Sequence, residues 1–166
     1  AQANPRLATV LRDAWDAEGG QLCVVHGGGD EVSAMQRALG REPVFIGGRR
    51  VTSHADLELL RMVLSGVVNK RLVNKLAANG LPAVGLSGED GKLIEGEAID
   101  RATLGLAGKP VGVNARLLRS LLAAGFLPVI SPVASDAASP EGGALNVNGD
   151  DAAAAIDHRT PGGSQH

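Results

Sequence analysis

Residues 22–40 read Leu-Cys-Val-Val-His-Gly-Gly-Gly-Asp-Glu-Val-Ser-Ala-Met-Gln-Arg-Ala-Leu-Gly, and this stretch decides the fold. Residues 21–25 form a short apolar run, the pattern of a strand buried on both faces. Gly27-Gly28-Gly29 then turns the chain. Val32, Met35 and Leu39 recur at helical spacing, and Gly40 stands where such a helix closes. A strand, a tight turn and a helix in succession make the first half of a βαβ unit.

Working outward, the same alternation continues. Asn4 can cap a helix with Pro5 at its first position, Leu7, Val10, Leu11 and Ala14 marking its apolar face and Gly19-Gly20 stopping it. Residues 43–46, the Gly47-Gly48 pair and residues 49–52 read as a β-hairpin. Thr52 or Ser53 then caps a long helix reaching about Ala78, with Asp56 in its first turn. Its main stripe is Leu57, Leu60, Leu64, Val67, Val68, Leu72 and Leu76, flanked by Leu59, Met62 and Val63. A stripe this wide suits a helix that faces both its own core and a partner subunit, or one buried centrally in a single domain.

Residues 83–86 read as another buried strand and residues 92–97 as an edge strand. Asn114 can cap a helix carrying Leu117, Leu118, Leu121 and Leu122, ended by Gly125. Residues 126–133 are strand-like, with Pro128 and Pro132 pushing that strand toward a sheet edge or a strand end. Residues 135–143 read as a loop, and Asp150 or Asp151 starts an alanine-rich helix. Strands alternating with helices predict a three-layer αβα sandwich with a mainly parallel central sheet over residues 1–156. Residues 157–166 form a polar tail expected to be poorly ordered.

Composition narrows the function. The chain has 166 residues, 44% hydrophobic and 20% charged, enough apolar material for one continuous core. No apolar run is long enough to span a membrane. One cysteine, Cys23, excludes a disulfide framework within the chain and points to a reducing, cytoplasmic compartment. A net charge of −2 and an aromatic content of 2% argue against nucleic-acid binding, which needs a basic surface and stacking platforms.

Three segments could carry chemistry. At VVHGGG (24–29), backbone N–H groups at a helix start suit a phosphate or carboxylate, although a simple tight connection has the same pattern. The lysine and spacing of a P-loop are missing, and Val32 stands where a dinucleotide fingerprint needs its third glycine. At GGRRVTS (47–53), hairpin arginines could bind a carboxylate bidentately or be solvated. At ALNVNGDDAA (144–153), an extended backbone would put Asn146 and Asn148 on one side, to meet a polar ligand or to cap the next helix. His26 reads as a hydrogen-bonding partner of the glycine turn and Cys23 as an inert, buried thiol. The four histidines show no metal-ligand spacing.

In this order, and together with VNKRLV (68–73), AVGLSGEDG (83–91) and GFLPVISPV (125–133), these segments resemble the acetylglutamate kinase family of the amino-acid kinase superfamily. The resemblance covers about Leu22 to Ala155. It implies phosphoryl transfer from ATP, with Mg²⁺, to the side-chain carboxylate of N-acetyl-L-glutamate, a step of arginine synthesis. It places Gly28 and Gly29 at the substrate and the transferring phosphoryl group, Arg50 on the substrate α-carboxylate and Asn146 on the substrate. It gives Asp150 the role of orienting catalytic lysines. It also implies a homodimer through the helix around Leu57 and Leu76. Two relatives of that activity stay open: a kinase of N-acetyl-aminoadipate or a carrier-linked substrate in lysine synthesis, and a non-catalytic acyl-amino-acid-binding or dimerisation module. The family's first strand, with its K-x-G-G lysine, and most of its nucleotide-binding half have no match, so the chain reads as the acyl-substrate part of such a kinase. Lys70, Lys75, Lys92 and Lys109 do not stand at catalytic motif positions.

Overall fold

The computed structural model describes residues 6–159. Its order is α1 (Leu7–Ala17), β1 (Val24–Val25), α2 (Gly29–Ala38), β2 (Phe45–Ile46), β3 (Arg49–Arg50), α3 (His54–Leu60), a wider π-helical stretch (Arg61–Val68), α4 (Asn69–Ala78), β4 (Ala83–Gly88), β5 (Ile94–Ala98), α5 (Arg101–Leu104), β6 (Ala107–Val113), α6 (Ala115–Ala123), β7 (Leu127–Asp136), β8 (Ala144–Val147) and α7 (Gly149–Arg159). The N-terminal cap expected at Asn4 and Pro5 lies outside the described residues.

β7 is the hub of a six-stranded sheet. Its first half runs parallel between β1 (Val24 opposite Val129) and β4 (Leu86 opposite Ile130). Its second half pairs parallel with β5 and antiparallel with β8. β6 closes the circuit, antiparallel to β5 and parallel to β8. The sheet is therefore rich in parallel pairs, as expected, with two antiparallel pairings the sequence did not announce.

This arrangement corrects two expectations. β7 is not an edge strand despite its prolines. Pro132 falls in a bulged break of the β4 ladder, between the Ser87–Ser131 and Gly88–Ala134 pairs, just before pairing with β8 begins at Val133. Pro128 lies one residue before the β1 ladder, which begins opposite Val129. At both places a missing N–H costs little, because no partner strand requires it. β5 is interior too, held by β6 and β7. Of its two glutamates, Glu95 is half-buried and Glu97 exposed.

Alternation along β7 builds the layers. Leu127 and Val129 face α1 and α4, packing with Ala8, Leu76 and Leu81. Ile130 and Ala134 face α6 and α7, packing with Leu118, Ala152 and Ile156. Val133 and Leu145 join α2, α3 and the π-helical stretch through Val32, Leu57, Leu60 and Leu64. That is the αβα sandwich, with three apolar clusters packed against the sheet.

Local signals set most boundaries. Ser53 and Asp56 form a reciprocal capping box at the start of α3. Asn114 caps α6, its side chain accepting from the Leu117 N–H at 3.2 Å. Gly47 and Gly48 have φ of +58° and +77°, the left-handed pair a two-residue hairpin turn demands. Other expectations fail. The strand at 21–25 shrinks to Val24–Val25. Met35 and Leu39 do not join Val32 in the core but are 43% and 55% exposed, and Met62 and Val67 are exposed as well. α7 begins at Gly149 and continues through Arg159, into the segment read as a polar tail.

Candidate functional site

β1 delivers the glycine turn to the C-terminal end of the sheet. His26 fixes it: its backbone N–H donates to Ile130 O at 3.1 Å. The ring then locks the corner. Nδ1 lies 2.9 Å from the Gly27 carbonyl and Nε2 lies 3.0 Å from the Asn69 side-chain nitrogen. A carbonyl only accepts, so Nδ1 donates, and Nε2 must then accept from Asn69. His26 is thus a neutral imidazole, and burial holds its pKa below the usual histidine range. Asn69 is fully buried at the head of α4 and also donates to Val129 O at 3.0 Å. This is the structural role expected of His26, with a partner the sequence did not reveal.

Gly28 comes next, with φ of +152°. Its carbonyl accepts the first backbone bond of α2, from Val32. Among the described residues the N–H groups of Gly28 and Gly29 meet no protein acceptor, so the turn presents donors at the positive end of an α-helix.

The hairpin of β2 and β3 brings the arginines over this turn. Thr52, fully buried, anchors it by donating to Leu104 O and accepting from the Leu106 N–H. Arg50 is buried, and its guanidinium is held by the Gln36 side chain, by Gly29 O at 2.9 Å and by Ser33 Oγ at 2.9 Å. It also stacks 4.7 Å from the centroid of Phe45. Every one of these partners is neutral. Burial lowers the arginine's pKa, yet a guanidinium keeps its charge at neutral pH. The result is an oriented, buried cation with no carboxylate against it, and three of its five N–H donors in use.

β8 supplies the third wall. Asn146 donates to Thr52 Oγ1 at 3.2 Å, and that hydroxyl donates to Arg50 O at 2.9 Å. The asparagine side chain and the hairpin are therefore one hydrogen-bonded unit. Asn148, two residues on, caps α7 by accepting from the N–H groups of Asp150 and Asp151.

Gly28, Gly29, Arg50 and Asn146 line one open cavity of about 210 Å³, together with Arg49 and Asn148. The three separate sequence segments thus meet at one place. Asp150 is not on the wall: it is exposed, and its carboxylate makes no ion pair among the described residues. No lysine lines the cavity. Among the described residues no three His, Cys, Asp or Glu side chains gather as a metal site. No helix among them is long and apolar enough to cross a membrane. Sequence reasoning missed Gln36 and Ser33, which orient Arg50. Their spacing on α2 places them one turn apart on the face toward the hairpin, a signal visible only once the hairpin is known to fold back onto that helix.

An αβα sandwich with a glycine-turn helix start at the C-terminal end of its parallel-rich sheet places the chain in the α/β class. The comparisons specify which: the chain belongs to the amino acid kinase family, whose model matches residues 2–156. It is 48% identical over 139 residues to the acetylglutamate kinase of Geobacillus kaustophilus (strain HTA426), covering 84% of this chain and 53% of that protein. It is 46% identical over 144 residues to the acetylglutamate kinase of Geobacillus stearothermophilus, covering 87% of this chain and 55% of that one. Among solved structures it resembles smu.665 from Streptococcus mutans UA159, with a TM-score of 0.84 and 27% identity, over 93% of this chain and 62% of that chain. The chain spans about half the length of the curated relatives it matches. The resemblance read from the glycine turn, the hairpin and the N-V-N segment agrees with these findings.

Proposed function

We propose that this chain is the acyl-amino-acid-binding part of an acetylglutamate kinase, over residues 1–156. N-acetyl-L-glutamate enters the cavity between the glycine turn, the hairpin and β8. Arg50 pairs with the substrate α-carboxylate through its free N–H groups. Asn146 hydrogen-bonds the substrate, its amide held in place by Thr52. The Gly28 and Gly29 amides stabilise charge on the side-chain carboxylate and on the phosphoryl group arriving from ATP. Phosphoryl transfer depends on positioning and charge neutralisation, and preset donors perform both without reorganising. ATP with Mg²⁺ is the phosphoryl donor, in the cytosol. Asp150, at the start of α7, orients cationic groups on its solvent side. The protein pairs as a homodimer through the long helix, whose exposed Met62 and Val67 supply the apolar contact.

One observation carries the reading: a buried guanidinium with only neutral partners lines the same cavity as unpaired glycine amides. The relatives' names favour acetylglutamate over the one-carbon-longer acid. Calorimetric titration tests the substrate. One site per chain for N-acetyl-L-glutamate, weakened by Arg50→Ala, supports it; no uptake, or an unchanged affinity in Arg50→Ala, overturns it. Sedimentation showing only monomer at high concentration would overturn the dimer.

A further inference from the structure

Arg49 and Arg50 are successive residues of β3, so their side chains leave opposite faces of the ribbon. Both line the cavity. Their partners differ in kind. Arg50 is tied into the fold by Gln36, Gly29 and Ser33. Arg49 meets one acceptor among the described residues, the Asp151 carboxylate, at 3.2 Å.

We infer that Arg49 is a second anion-binding arm of the cavity, that Asp151 occupies it when no ligand is bound, and that together they set selectivity for dianionic over monoanionic ligands. The inference rests on the acyl-amino-acid reading above. The two side chains of the pair are 38% and 41% exposed, so water screens it and its contribution is small. A weak, half-exposed pair is one a ligand can exchange. Asp151 belongs to the first turn of α7, where the helix dipole favours its charge without Arg49. It loses little when the guanidinium swings to a second carboxylate or phosphoryl oxygen. Arg49 gains a bidentate partner inside a concave wall already carrying the Arg50 charge. The pair also joins the hairpin to α7, so the exchange registers the hairpin against the bound ligand.

The test compares N-acetyl-L-glutamate with N-acetyl-L-glutamine, which has the same size and α-carboxylate but no second negative charge. Calorimetry is run on the wild type, on Asp151→Asn and on Arg49→Gln. Asp151→Asn keeps the α7 cap, because Asn148 accepts from the backbone N–H of Asp151 and not from its side chain. The expected result is a rise of about threefold in affinity for acetylglutamate in Asp151→Asn, with acetylglutamine unchanged. Arg49→Gln should bring the two ligands closer together. An unchanged ratio of affinities in both variants, or weaker acetylglutamate binding in Asp151→Asn, overturns the exchange alone. Uptake of neither ligand by the wild type overturns it together with the functional reading.

Discussion

Gly28→Ala is the substitution whose cost is best fixed by the geometry. A β-carbon there would stand 2.7 Å from Leu64 Cδ2 and 3.2 Å from Val68 Cγ2, on a backbone with φ of +152°. The backbone alone costs about 1–3 kcal/mol, since side chains rarely adopt that region. Crowding the packed π-helical stretch costs about 1–3 kcal/mol more. Leu64 Cδ2 is the far end of a flexible side chain and relieves part of the clash, so a total of about 2–4 kcal/mol is expected. In a domain this size that lowers Tm by roughly 5–15 °C. Gly27→Ala is the control: nothing lies within 4 Å of its built β-carbon, and the loss should stay within about 0.5 kcal/mol. Adding Leu64→Ala to Gly28→Ala should show a coupling of at least ~1 kcal/mol in a double-mutant cycle. Urea and thermal unfolding of Gly28→Ala, Gly27→Ala, Leu64→Ala and the Gly28→Ala/Leu64→Ala double read it out. If Gly28→Ala and Gly27→Ala are equally stable, the long helix does not press on the turn, and the reason given for a glycine there is wrong.

Other outcomes follow from single contacts. Arg50→Lys should not rescue Arg50→Ala, both losing about 10–100-fold in acetylglutamate affinity, because an ammonium cannot reproduce the planar fork held by Gln36 and Ser33. His26 has a lowered pKa from burial, so the unfolded chain binds its proton first; stability is full above pH ~6.5 and falls as pH drops from there through the folded value. In urea titrations at stepped pH, His26→Leu should show a shallower slope than the wild type over that window, and an identical slope would refute the assignment. The Cys23 thiol, pushed up by burial to about 11, should alkylate far more slowly at pH 8 than an exposed cysteine in a mass-spectrometric time course. Asn114→Ala should cost about 1 kcal/mol of unfolding free energy through loss of the α6 cap.

Much of the fold was legible because its signals are local. The Ser53–Asp56 capping box, the Gly47-Gly48 turn and the 3.6-residue stripe of the long helix each need only a few neighbouring residues to be read. What failed is what depends on distant partners. Pro128 and Pro132 look like edge markers until the register shows that neither faces a ladder bond. Met35 and Leu39 sit at core spacing, yet they stay exposed. The π-helical stretch carries Ser65-Gly66 but no proline, too weak a signal to announce it, and its Leu64 and Val68 are the side chains that lie against Gly28. At the cavity, residue types with an obvious chemistry, Arg50 and Asn146, could be singled out in advance. Their supports, Gln36, Ser33, Thr52 and Asn69, could not, because an ordinary polar residue gains its role from a contact many residues away.

The most direct measurement is an NMR titration of the labelled protein with N-acetyl-L-glutamate. The account predicts that the backbone amides of Gly28 and Gly29, the Arg50 Nε–H and the Asn146 side-chain amide shift together along one saturation curve with one Kd. Shifts that saturate at different ligand concentrations, or that gather instead around the separate cavity lined by Arg101 and Asp136, would contradict it.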